Sequence, residues 1–178
     1  MPRFYIGGPS GCGKTAAIKI IKEKFPWISC QSGSGVMMKA AGVTSRKELE
    51  QIPEIYLQNL RKLAFKKYYQ TEPNLICEGH YFLTDTDFKY IDKFFLLEVP
   101  IEKLVEFRLL DSTRSRSTIM SEIEEEINDL NKKVESFEKR FKIKVIKLSN
   151  DSSLENLVSK VMNFYFKSST SRKPIINH

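Results

Sequence analysis

Residues 8–15 read Gly8-Pro9-Ser10-Gly11-Cys12-Gly13-Lys14-Thr15, directly after the short apolar run Phe4-Tyr5-Ile6 and Gly7. The octet satisfies the pattern GxxxxGK[ST], in which a glycine-rich turn and a helix N-terminus converge several backbone N–H groups on phosphate oxygens. Its setting agrees: the apolar run predicts a strand that stops at Gly7 and Gly8, and Ala17, Ile18 and Ile21 share one face of a helix starting at Lys14. Gly8, Gly11 and Gly13 permit the tight backbone path, the Lys14 ammonium neutralises β- and γ-phosphate charge, and the Thr15 hydroxyl is offered to Mg2+. The expected ligands are therefore ATP or GTP with Mg2+. Cys12 belongs to the same binding loop; its electropositive setting favours a reactive thiol, but nothing else in the sequence calls for redox chemistry.

Outward from this loop, strand and helix signals alternate. A second strand is expected around Ile28 to Gln31, then a sharp turn at Ser32-Gly33-Ser34-Gly35, whose two glycines argue against a regular element, then a short helix from Val36 to Ala41. Ser45 with Glu48 three residues on is a capping signature, and the helical stretch it opens is interrupted by Pro53 before continuing to about Tyr69. Asn74 to Cys77 and Phe94 to Val99 are apolar runs bounded by Pro73 and Pro100, the pattern of buried parallel strands. A helix over Glu102 to Leu110 gives way to a loop over Asp111 to Ser117. Ile123, Ile127, Leu130, Val134, Phe137 and Phe141 then form one stripe of a long helix. The stripe covers fewer than about three heptads, which favours packing on a sheet over a coiled coil. Lys144 to Leu148 predicts a last strand and Ser152 to Phe166 a last amphipathic helix. The whole predicts a three-layer α/β P-loop NTPase fold, with about five parallel strands, helices on both faces and ligands at the carboxyl ends of the strands.

Composition narrows the class. With 178 residues, 41% hydrophobic and 29% charged, the chain matches one folded domain and not a disordered polymer. No run approaches the roughly 18 apolar residues of a membrane span, and the N-terminus enters a strand rather than a signal core, so a cytoplasmic location is expected. Cys12, Cys30 and Cys77 are widely spaced, odd in number and without a CxxC pair, which points to reduced thiols. Two histidines, His80 and His178, argue against a zinc site. The net charge of +7 suits polyphosphate ligands and nucleic acid equally. Arg172 and Lys173 lie in a basic C-terminal tail, residues 168–178, that is expected to be flexible.

Two further places carry candidate chemistry. Leu75-Ile76-Cys77-Glu78 ends a strand in a carboxylate able to reach Mg2+ or one of its waters, and His80 follows as a substrate contact or a structural hydrogen-bonding group. Asp111-Ser112-Thr113-Arg114-Ser115-Arg116 supplies cations that can fold over phosphates and exclude water. The alternative for Arg114 and Arg116 is surface ion pairing with the acidic run Glu122 to Glu126. Arg108, one helix earlier, can face the same site.

On these features, over residues 3 to 165, the chain resembles the nucleoside monophosphate kinases, and most closely the archaeal type of adenylate kinase. Phe95-Leu96-Leu97-Glu98, Pro100 and the segment Asp111 to Arg116 are similar to that family's fifth segment and arginine-bearing lid. The resemblance implies a single kinase domain over residues 1–167, an acceptor-binding helical insert over 32–70 and a short lid over 111–118. It implies catalytic roles for Lys14, Arg114 and Arg116, nucleotide contacts along Gly8, Gly11, Cys12, Gly13, Lys14 and Thr15, metal contacts at Thr15 and Glu78, and acceptor contacts at Ser34, Arg46 and His80. The sequence departs from the archaeal pattern in the acceptor region. Gly35 stands where an Asp is expected, Glu50 near an expected arginine, and Glu78-Gly79-His80 where those enzymes carry Asp-Thr-His; this triplet is more like the small adenylate kinases linked to ribosome assembly. Gly8-Pro9-Ser10-Gly11 also resembles guanylate kinase, but that family's Thr-Thr-Arg segment follows the loop closely, whereas Thr113-Arg114 lies far downstream.

The implied activity is transfer of the ATP γ-phosphoryl group to a small acceptor, a nucleoside monophosphate by resemblance. Two other readings stay open: a nucleotide-gated RNA- or protein-binding assembly factor with weak ATPase activity, and a kinase for a non-nucleotide metabolite or a polynucleotide end. The acceptor and the oligomeric state are not legible.

Overall fold

The side-chain period of two along each apolar run divides the core before any helix is placed. In the computed structural model, which describes residues 2–79, 90–111, 116–150 and 153–170, five strands form one parallel sheet. They are β1 (Arg3–Gly7), β2 (Ser29–Ser32), β3 (Leu75–Glu78), β4 (Lys93–Glu98) and β5 (Val145–Ser149), in the order β2-β3-β1-β4-β5. Phe4 and Ile6 of β1 point to one face with Ile76, Phe95 and Leu97; Tyr5 points to the other with Leu75, Cys77, Phe94 and Leu96.

Helices cover both faces, which completes the three layers expected from the alternation. On the first face lie α1 (Lys14–Lys24) and α7 (Leu154–Thr170), which contribute Ala17, Ile18 and Ile21, and Leu157, Val158, Val161 and Met162. On the second lies α6 (Met120–Phe141), whose Leu130, Val134 and Phe137 pack on Phe94 and Leu96. The stripe read from the sequence is thus a sheet-facing stripe. Ile123, at the start of α6, instead joins the first cluster beside Leu104 of α5 (Ile101–Leu110). No helix among the described residues is long and apolar enough to cross a membrane.

Between β2 and β3 run α2 (Gly33–Ala41), α3 (Arg46–Glu50) and α4 (Glu54–Thr71). The turn expected at Ser32 to Gly35 is corrected here: β2 ends at Ser32 and α2 starts at Gly33 with no turn between them. Ser32 is the N-cap, its Oγ accepting the Gly35 N–H at 3.0 Å, so an N-cap bond overrides the low helix propensity of two glycines. The Ser45 signature is observed as read, with Glu48 N–H donating to Ser45 Oγ at 3.3 Å and the Ser45 hydroxyl donating back to Glu48 Oε1 at 2.9 Å. Pro53 sits just before α4 and separates it from α3, where its missing N–H costs nothing. The last helix extends to Thr170, past the Phe166 end expected from the pattern, and residues 171–178 of the basic tail lie outside the described residues.

The parallel register sets Ile6 of β1 opposite Glu78 of β3, and Glu78 in turn opposite Ser32 of β2. The carboxyl ends of three strands therefore open on the turn after β1. Beyond β3, the Gly79 N–H donates to the Ile6 carbonyl at 3.1 Å and prolongs this pairing by one residue. A methyl group on Gly79 would collide with the Tyr5 hydroxyl. Gly79→Ala should destabilise the fold by about 1–3 kcal/mol, and by clearly less in a Tyr5→Phe background, which removes the struck atom; denaturant unfolding of the four variants of that cycle measures the difference.

Candidate phosphate-binding site

The turn from β1 into α1 is built on glycines because other residues do not fit it. Gly11 and Gly13 take φ of +88° and +94°, the left-handed region that side chains disfavour. Space is tight as well: a Cβ on Gly13 would lie 2.9 Å from Asn150 Nδ2, and one on Gly11 3.1 Å from Arg108 Cγ and 3.3 Å from Arg116 Nη1. The neighbours of the loop are thus polar groups from α5, from the segment after it and from the end of β5.

Lys14, the first residue of α1, is buried, and its ammonium donates to the carbonyls of Gly8 at 2.8 Å and Pro9 at 2.7 Å. The charge is held within the curl of the loop, where anionic phosphate oxygens are its natural partners. Thr15 follows on the exposed side and donates its hydroxyl to Glu78 Oε1 at 3.1 Å. The two groups named from the sequence as metal ligands, 63 positions apart, are in direct contact. A hydroxyl beside a carboxylate is a hard-oxygen donor pair, the kind that Mg2+ takes together with phosphate oxygens and water, so the residues present fit that ion.

Cys12 sits fully buried in the loop, with Sγ 3.5 Å from Lys14 Nζ. Burial pushes its thiol up, and the nearby Lys14 charge only partly opposes this. The electropositive setting is real, but desolvation outweighs it, so the activated thiol considered from the sequence is not what the fold builds.

Around the loop stand Arg108 and Arg116, both read from the sequence as facing this site, and two groups, Glu126 and Asn150, that the sequence did not single out. Arg108 is buried at the inner face of α5 and donates through Nε to the Ser10 carbonyl at 3.0 Å, through Nη1 to the Ser117 carbonyl at 3.0 Å and through Nη2 to Glu126 Oε2 at 2.5 Å. The Ser10 N–H donates to the other Glu126 oxygen at 2.9 Å. Glu126 of the acidic run from Glu122 to Glu126 thus pairs with Arg108. Arg116 pairs with Asp111 at 3.0 Å and lies against Gly11. Asn150 is buried just past β5, and its amide donates to the Cys12 carbonyl at 3.0 Å. No motif marks Asn150; its signal is its place, one residue beyond an apolar strand of a sheet whose ligand edge is known.

Of the expected acceptor residues, Ser34 is half-buried in the first turn of α2, at the carboxyl edge of the sheet, and Arg46 forms an exposed i,i+4 pair with Glu50 at 3.2 Å. Arg114 and His80 lie outside the described residues, as do residues 112–115 of the expected lid.

A parallel sheet with a GxxxxGK[ST] turn at its centre, a lysine in the turn and a Thr–Glu oxygen pair at its rim define a P-loop nucleotide-binding protein. The family model described as AAA domain matches residues 7–128, more than half of the chain, and the protein belongs to that family. Three shikimate kinases share the fold over nearly the full length of both chains. That of Acinetobacter baumannii, solved in complex with shikimate, has a TM-score of 0.69 and 16% identity, covering 97% of this chain and 96% of its own. That of Aquifex aeolicus has 0.66 and 16%, with 96% and 99% covered, and that of Bacteroides thetaiotaomicron 0.67 and 17%, with 93% and 98%. No curated protein sequence matches the chain.

The buried thiol gives a direct check of the loop. In the folded protein at pH 8, a polar alkylating reagent should leave Cys12 unmodified, whereas in denaturant all three cysteines should react. Peptide mass spectrometry reads the difference; rapid native labelling of Cys12 would show a loop far more open than described.

Proposed function

We propose that this protein is a kinase that transfers the γ-phosphoryl group of ATP, with Mg2+, to a small acceptor, and that a nucleoside monophosphate is the first acceptor class to test. The observation that carries the reading is the Thr15–Glu78 contact at the mouth of the loop that holds Lys14. When bound, Mg2+ supplies charge neutralisation to the β- and γ-phosphates. The chain's own part is positional: backbone N–H groups from Gly11 to Thr15 orient the phosphates, Lys14 leaves its two carbonyls to bind them, and Thr15 with Glu78 holds the metal. Arg116, beside Gly11, and Arg114 act as cations over the transferring group, within a lid spanning 111–118 that excludes water. No protein nucleophile is required. The acceptor is held by the insert of residues 32–70, with Ser34, Arg46 and His80 as contacts, and the protein works in the cytoplasm.

The resemblance of the loop and the arginine segment to adenylate kinases supports a monophosphate acceptor. A second reading, a hydroxylated metabolite, is supported by the near full-length likeness in fold to shikimate kinases. The third, a nucleotide-gated factor for RNA or a protein, draws on the net charge of +7.

A coupled assay for ADP formation with AMP, CMP, UMP and GMP, and then with hydroxylated carboxylic acids, separates these readings. Fast ADP formation that depends on one acceptor supports a kinase and names its class; slow ATP loss independent of any acceptor supports the gated factor. Lys14→Ala should lower kcat on the order of a hundredfold to a thousandfold, and Glu78→Gln should raise the Mg2+ concentration needed for half-maximal rate. Unchanged turnover in both variants would remove the assigned roles.

A further inference from the structure

Ser10 has both of its backbone groups tied to distant elements. Its N–H donates to Glu126 of α6, and its carbonyl accepts from Arg108 of α5. The two side chains are bonded to each other, and Arg108 also holds the carbonyl of Ser117, next to Arg116. One guanidinium thus makes three hydrogen bonds in three directions, to the loop, to the arginine-bearing segment and to a carboxylate that itself returns to the loop. A planar fork of five donors can do this; a lysine ammonium on a flexible stem cannot hold the same geometry. The Arg108 side chain is 3% exposed and that of Glu126 27%, far from the solvated pairs that contribute little. A buried ion pair is weak as a source of stability, so its geometric effect is the feature to explain.

We infer that Arg108 and Glu126 are positioning residues that bracket the Ser10 peptide, fix the curvature of the phosphate loop and hold the Arg116 segment in register with it. Neither needs to touch a nucleotide: Glu126 takes up the Ser10 N–H, and Arg108 takes up its carbonyl, so that the remaining loop N–H groups are presented in one arrangement. The inference rests on the proposed role of the loop in binding phosphates, and two measurements keep the two claims apart.

The first is calorimetric binding of inorganic tripolyphosphate, with Mg2+, which reports on the loop without any acceptor. Arg108→Lys and Glu126→Ala should each weaken it by about tenfold, whereas Glu126→Gln, which keeps an oxygen for the Ser10 N–H but turns an NH2 donor toward Arg108, should recover only part of the loss. Val134→Ala, a core truncation on the other face of the sheet, should lower the melting temperature and leave tripolyphosphate affinity unchanged. The second is hydrogen exchange of the peptide spanning residues 8–13, which should speed up in Arg108→Lys and Glu126→Ala and stay slow in Val134→Ala. Tripolyphosphate binding within twofold of the parent in both bracket variants overturns the inference. So does equal weakening by Val134→Ala, or tighter binding by Glu126→Ala, which would make Glu126 a competitor for the phosphate. If the parent protein binds no tripolyphosphate, the proposed function fails, and the exchange rates alone decide whether the bracket holds the loop.

Discussion

Parallel pairing of β1 with β3 is the constraint from which the site follows. It sets Ile6 opposite Glu78, and so brings the end of the strand that feeds the phosphate loop beside the end of the strand that carries the carboxylate. A parallel neighbour requires a crossover, and here the crossover from β1 to β3 contains α1, β2 and the three helices after it. The chain thus spends 63 positions between Thr15 and Glu78 to bring their oxygens to 3.1 Å. β1 is also the strand at which connections turn to either side of the sheet, the place where open α/β folds leave a crevice at the carboxyl edge.

That edge has an electrostatic cost, and the structure shows how it is met. Among the described residues, the buried polar or charged side chains are Lys14, Glu78, Arg108 and Asn150, and all four border the loop. A buried ion or amide without partners is costly, and each of these has them. Lys14 holds two carbonyls, Glu78 accepts from Thr15, Arg108 fills its fork with Ser10, Ser117 and Glu126, and Asn150 donates to Cys12. Three of the four thus bind backbone of the loop itself. The polar groups that a purely apolar core would not need are spent on fixing the path of eight residues.

The sequence made the layers legible because their signals are local. Alternating apolar residues in the strands, the stripe on α6 and the glycine pattern of the loop each repeat within a turn or a few residues, and strand limits shift by one position only. Glu78 was legible for the same reason, as a charge closing an apolar run. Ser32 to Gly35 was not, since two glycines outweigh a serine on propensity, while the cap that decides the matter depends on the backbone angle at the end of β2. Glu126 is one acid of a run that the sequence offers only as an ion-pairing alternative for Arg114 and Arg116, and Asn150 carries no motif. Their partners, Ser10 and Cys12, lie 116 and 138 positions away, and no local pattern encodes such distances.

The same contrast separates the two halves of the edge. Groups on the loop side are buried and hold one another, so the loop is preorganised before a ligand arrives. On the α2 and α3 side, Ser32 to Gly35 are only half-buried, and Arg46 is committed to an exposed pair with Glu50 that contributes little to stability. Residues there can change without leaving a charge stranded in the core. A rigid loop beside a loosely constrained flank lets one fold keep its phosphate-binding turn while residues on the flank vary. On this flank sheet register fixes only the entry of α2, through Ser32 opposite Glu78.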